Sequence, residues 1–117
     1  MSAPDKHFKI PGDQIRALIP NMGGCFATDR ITVDGLKVGF MFREVPELED
    51  LSGWTFMSGD ETQDYVDNPD HWAIYDVNTI CNYDPAIIPY LEAIYGSAFG
   101  RVEGTDRFEK ESYRAGV

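Results

Sequence analysis

The run CFATDRITVDGLKVGFMFRE, residues 25–44, constrains the fold more than any other part of the chain. Asp34-Gly35 interrupts two stretches of alternating apolar residues, the pattern of a two-residue type I′ hairpin turn. With those two residues as the loop, Val33 opposes Leu36, Ile31 opposes Val38, Asp29 opposes Phe40 and Ala27 opposes Phe42. One face then carries Cys25, Ala27, Asp29, Ile31 and Val33 against Leu36, Val38, Phe40 and Phe42, apolar throughout except at Asp29. The other carries Arg30, Thr32 and Lys37, with Phe26 and Met41 toward its far end, and reads as mostly wet. A carboxylate at Asp29 needs a rim position, a partner in Arg30 or another base, or a neighbouring loop to cap, because burying it unpaired is very unfavourable.

Beyond the hairpin, VPELEDLSG carries Pro46 and a run of acids and reads as a loop. It leads to a third strand in GWTFMSG, where Trp54 and Phe56 alternate with Thr55 and Met57, completing an antiparallel meander. Asp60 with Gln63 has capping-box spacing for a brief helix through Tyr65 and Val66, stopped by Asn68-Pro69. HWAIYDVNTICNYD, rich in aromatic and branched residues, supplies another extended segment. Asp84-Pro85 sets an acidic N-cap before a proline at the first helical position, and Ile87, Ile88, Leu91 and Ile94 follow at helical spacing until Gly96. Asp13 is an N-cap for a short helix through Ile15, Leu18 and Ile19, and SAFGRVEG reads as a last strand. The fold expected is α+β: an antiparallel sheet with a hairpin at Asp34-Gly35, covered on one face by one or two short helices. A length of 117 residues suits one domain, with residues 1–12 an N-terminal arm, 13–102 the core and 103–117 a charged tail.

Charge is distributed unevenly. Between Arg43 and Arg101 lie twelve Asp and Glu and no Lys or Arg, whereas the remainder holds ten bases against eight acids. Trp54, Phe56, Tyr65, Trp72 and Tyr75 are among the aromatics interleaved with those acids. A net charge of -10 and a pI near 4.4 argue against neutralising phosphates on nucleic acid or an anionic membrane. No run approaches the ~20 apolar residues of a membrane span, and no basic start with an apolar middle marks a signal peptide, so a cytoplasmic protein is expected.

Catalytic and metal signatures are weak. Asp64, Asp67, Asp70 and His71 lack the spacing of a calcium loop or a zinc site, so no metal and no cofactor is expected. Cys25 and Cys81 fit two partly buried thiols, and neither stands in a recognisable nucleophile context with His7 or His71. Gly23-Gly24 lacks the arrangement of a phosphate-cradling loop.

The blocks ATDRITVDGLKVGFMFRE, SGWTFMSGDE, IYDVNTICNYDPAIIPYL and GSAFGR resemble small bacterial proteins long listed as a domain of unknown function and later grouped with the immunity proteins of polymorphic toxin systems. The resemblance runs from about Gly24 to Arg101. It implies a stoichiometric inhibitor that binds and occludes a toxin domain in the cytosol, with no active site to transfer. The acidic, ring-bearing middle agrees, since it would steer a basic protein and anchor it with large side chains. The expected function is therefore non-enzymatic binding of a basic protein partner, which the resemblance would make a cognate toxin domain. The surface expected to carry it holds Trp54, Asp60, Glu61, Asp64, Asp67, Asp70 and Trp72, acids steering and tryptophans anchoring. The rival is a small enzyme or ligand-binding domain with a pocket between sheet and helix, using His71, Asp76 or Cys81.

Overall fold

A computed structural model describes residues 6–112. Six strands are separated by short helical elements: β1 (Gly24–Thr28), α1 (Asp29–Thr32), β2 (Phe40–Arg43), β3 (Leu51–Met57), α2 (Gln63–Val66), β4 (Trp72–Asp76), α3 (Val77–Tyr83), β5 (Ala98–Arg101) and β6 (Phe108–Lys110). They form one open sheet in the order β4-β1-β3-β2-β5-β6, antiparallel throughout except where β1 runs parallel to β3. The class is α+β, as the sequence implies.

The hairpin at Asp34-Gly35 does not form. After β1 the chain winds into α1, and Val33 and Asp34 both return their N–H groups to Asp29 O. Gly35 has a φ of +79°, but Asp34 does not share a positive φ, which a type I′ turn requires of both central residues. A glycine in the left-handed region ends a helical turn as readily as it makes a hairpin, and here it does the former. Asp29 is half-buried at the start of α1, paired with Lys6 at 2.7 Å. The expected pairing of the second and third strands holds: β2 and β3 are antiparallel, joined by the acidic loop of residues 44–50. The β1 strand instead lies between β3 and β4, so the three do not form a meander.

Strand alternation sorts the sheet into two faces. Cys25, Ala27, Met41, Trp54, Phe56, Phe99 and Phe108 face one side, in a single buried cluster with Ile31 of α1, Val77, Ile80 and Cys81 of α3, and Ile87 and Leu91 beyond it. Trp54 stacks on Phe56 with ring centroids 5.7 Å apart and donates Nε1–H to Leu91 O at 2.9 Å. This is the covered side. The helical elements there are shorter than the apolar spacing suggests. Asp84 caps as expected, accepting the Ala86 N–H, but the turn Pro85–Tyr90 is a 3-10 helix with Pro89 inside it, and Ile94 is 80% exposed beyond its end. Proline cannot donate the bond that would continue an α-helix.

Two other helix expectations are corrected. Near Asp13 there is one 3-10 turn, Gly12–Gln14, preceded by Pro11. The chain after it is held by side chains of α3: Asn78 Oδ1 accepts from Leu18 and Ile19 N–H, and Asn82 Oδ1 from Arg16 N–H. Arg16, Leu18 and Ile19 thus satisfy their donors without a helix. The α2 helix forms where expected, but Thr62 caps it by accepting the Tyr65 N–H, not Asp60. The segment HWAIYDVNTICNYD divides into β4 and α3, the strand ending where Asp76 takes the N-cap position. SAFGRVEG contributes β5. The segment expected to be a charged tail outside the core adds β6, which places Phe108 in the core against Tyr90.

Candidate functional site

On the second face of the sheet, among the described residues, Phe26 and Ile74 lie open and the short α2 helix borders them only through Val66. Register pairs Phe26 with Ile74 on adjacent strands and Phe26 with Thr55 on the other side. Phe26 is 41% and Ile74 58% exposed, on a face where a sheet ordinarily presents polar residues. The loop of residues 44–50 overhangs these strands and adds Val45 and Leu48, which are 71% and 61% exposed. Between loop and sheet runs a groove of about 450 Å³, its walls formed by Phe26, Leu51, Thr55 and Ile74 below and Val45, Pro46 and Leu48 above. A shallower depression continues from Phe26 and Ile74 to Val66, Pro69 and Trp72. Four large apolar side chains in one region exceed the scattered exposure common to soluble surfaces.

Carboxylates frame this apolar ground. Glu44 and Glu47 line the groove, Glu49, Asp50 and Asp76 line a neighbouring depression, and Asp67 borders the third. None of these six forms an ion pair among the described residues. Arg43, at the base of the loop, turns to the covered side, where Nη1 donates to Leu91 O and Ala93 O and Nε to Ser52 O. The face therefore keeps its negative charge while its nearest guanidinium serves the core. An apolar centre inside a charged rim is the anatomy of a protein-binding surface: burying a Phe or Ile side chain contributes roughly 1.5–3 kcal/mol, and the rim governs encounter.

Residues 25–111, from the start of β1 to just beyond β6, match the Immunity protein Imm33 domain. The chain belongs to this immunity-protein family. No curated protein and no solved structure matches it.

In this Imm33 domain the seven residues expected to carry the binding surface separate into three groups. Trp54 is fully buried on the covered side and cannot serve as a surface anchor. Its expected role is corrected by parity: Trp54 points the same way as Phe56, into the core. Asp60 and Glu61 are engaged by neighbouring groups of the fold. Arg30 bonds the Asp60 carboxylate, which, with Ser58 Oγ also donating to it, is held down to about 2. Burial pushes Glu61 up, yet hydrogen bonds from Thr28 Oγ1 at 2.6 Å, Ser58 N–H at 2.8 Å and Gly59 N–H outweigh it and hold this acid below the usual carboxylate range. The remaining four lie on α2, the turn after it and the start of β4. Trp72 is half-buried with Nε1 donating to Val66 O at 2.9 Å, Asp67 shares its depression, and Asp64 and Asp70 are exposed on α2 and the adjoining turn Pro69–His71.

Phe26, Val45, Leu48 and Ile74, with the loop acids Glu44, Glu47, Glu49 and Asp50, are what sequence reasoning missed. One signal was legible: Phe26 falls on the face assigned to water, where an aromatic side chain is out of place. The residues of the rival pocket do not converge on a depression. His71 Nδ1–H donates to Tyr65 O at 2.7 Å and its ring stacks on Tyr65, while Cys81 is buried in the core with burial pushing its thiol up to about 11. Among the described residues no three of His, Cys, Asp and Glu are grouped to hold a metal ion.

Proposed function

We propose that this Imm33 domain is a non-enzymatic, stoichiometric inhibitor that binds a basic cognate toxin domain through the open sheet face, acting in the cytoplasm of the cell that makes it. The observation that carries the reading is the apolar ground of Phe26, Ile74, Val45 and Leu48, framed by carboxylates that no described base neutralises. Family membership supports the immunity role, and the sign of the surface supports a cationic partner. Many toxins that attack nucleic acid carry a basic surface for it, and an acidic face can occupy that surface.

The test is a titration of the purified protein with the toxin domain encoded beside its gene, read by calorimetry and by residual toxin activity. A one-to-one complex that silences the toxin is expected, together with loss of at least tenfold in affinity for Phe26→Asp or Ile74→Asp at unchanged melting temperature. Absence of a complex, or full affinity in both variants, would overturn the proposal.

A further inference from the structure

The sheet has two edges, and they are protected unequally. At one, β6 is three residues long and carries exposed Glu109 and Lys110. Short, charged edge strands resist pairing with other chains. At the other, β4 is five residues, Trp72-Ala73-Ile74-Tyr75-Asp76, with no Lys, no Pro and no bulge.

The inner side of β4 is fully used by β1, in unbroken antiparallel register from Gly24↔Asp76 to Thr28↔Trp72. Val77 donates its N–H to Gly23 O at 3.0 Å, so hydrogen-bonded pairs recur every second residue, at Cys25↔Tyr75 and Ala27↔Ala73. The N–H and C=O of Ile74 consequently point away from the sheet, as does the N–H of Asp76. At Trp72 the corresponding groups are already engaged, the N–H with Pro69 O and the C=O with Lys6 Nζ. Nothing among the described residues takes the main-chain groups of Ile74.

We propose that the partner docks by adding an extended, cationic strand to the free edge of β4, centred on the main chain of Ile74. The inference rests on the binding reading above and specifies its geometry. Main-chain pairing supplies the ladder, and the exposed Ile74 side chain, with Trp72 and Asp76 on the same face of β4, meets every second residue of the incoming strand. Charge selects the occupant. Asp50 and Asp76 stand at the C-terminal end of β4, and Asp67 and Asp70 just before its N-terminal end, all without ion pairs among the described residues. Lys6, which reaches this edge, is neutralised by Asp29. A second copy of this chain is disfavoured: antiparallel pairing about Ile74 would set Asp76 of each copy opposite Trp72 of the other and diagonal to its Asp70, between molecules of charge -10.

Amide hydrogen exchange of the full chain, alone and with the toxin domain encoded beside its gene, tests this. In the complex the Ile74 amide should slow by about 100-fold as it enters a ladder. Ile74→Pro removes a donor that the fold does not use, since proline is tolerated where the N–H faces outward. It should lower affinity by about tenfold more than Ile74→Ala, which keeps the donor and removes the side chain. Should Ile74→Pro fail to fold, protection in the unaltered protein decides alone. A complex that forms while the Ile74 amide exchanges as fast as in the free protein overturns the strand addition and leaves the binding reading standing. Absence of any complex overturns both. Protection in the free protein that rises with its concentration assigns the edge to a second copy and also overturns the proposal.

Discussion

Asp84 Oδ2 accepts from Arg101 Nη2 on the covered side of the sheet, with the carboxylate fully buried. The same oxygen takes the Val38 N–H at 3.0 Å, and Oδ1 takes the Ala86 N–H at 3.2 Å. Arg101 also donates to Val38 O and Thr105 O, each at 2.8 Å, and to the exposed Asp106 Oδ1 at 3.2 Å. One buried carboxylate thus ties β5, the approach to β2 and the 3-10 turn into a unit, and a residue from the acidic middle of the chain is spent on the fold.

Removing Asp84 leaves the half-buried Arg101 with only the exposed Asp106 as counter-charge and takes the acceptor from the Val38 and Ala86 N–H groups. Asp84→Ala should cost about 3–5 kcal/mol, because Arg101 and the Val38 N–H lose their acceptor together. Urea denaturation followed by tryptophan fluorescence reads this directly. A loss below about 1 kcal/mol would mean that water reaches the site and that the pair is not the tie described here.

Acid should loosen the loop that joins β3 to α2. Glu61 lies below the usual carboxylate range because three donors outweigh the opposing effect of its burial, and Asp60 lies at about 2 through Arg30 and Ser58. Both folded values are below the unfolded ones, so the stability they contribute is fully present above about pH 4.5 and is lost as pH falls through the folded values. The exposed Asp60 contributes the smaller share, since solvent screens it. Urea midpoints should be level between pH 7 and about 5 and fall toward pH 2, with a shallower fall in Glu61→Gln. Parallel slopes in the two proteins would contradict the assignment.

The thiols should be silent in the native state. Cys25 and Cys81 are free and buried; burial pushes Cys81 up to about 11 and Cys25 higher still, with Cys81 and Asp76 adding to the latter. Since the thiolate is the reactive form, a disulfide reagent at pH 8 should label neither cysteine in the folded protein and both in guanidinium chloride. Rapid reaction of one equivalent without denaturant would show an opening on the covered side that the packing of Ile31, Val77 and Ile80 forbids.

Local chemistry made part of the fold legible. The Asp84-Pro85 cap, the strand at Trp54 and Phe56 and its antiparallel pairing with β2 follow from residue type and alternation. Failures came where one signal serves two structures. Asp34-Gly35 suits a hairpin or the end of a helical turn, and only the partners that β1 finds in β3 and β4 decide between them. Those partners are 27 and 52 residues away at Gly24, and no local pattern encodes a parallel neighbour. For the site, alternation already placed Trp54 beside Phe56 on the core face, so its use as an anchor set composition against periodicity, and periodicity prevailed. The apolar ground itself was not legible, because Phe26 and Ile74 become neighbours only through the register of β1 with β4.

Charge on the two sides of the open face should govern encounter and leave the fold alone. Glu47, Glu49 and Asp50 lie on the overhanging loop, and Asp64, Asp67 and Asp70 on α2 and the turn after it; all six are exposed. Replacing either set by Lys changes the net charge by six units without touching a buried contact. Surface changes of this kind usually stay within about 0.5 kcal/mol each in stability, so both variants should remain folded. Stopped-flow association with the toxin domain should slow by about tenfold or more at low ionic strength, and the difference should shrink as salt shortens the Debye length to about 3 Å at 1 M. The loop variant should show the larger effect, because its acids flank the groove where Val45 and Leu48 would be buried. Association rates equal to the unaltered protein in both variants, at every salt concentration, would remove these carboxylates from the binding face.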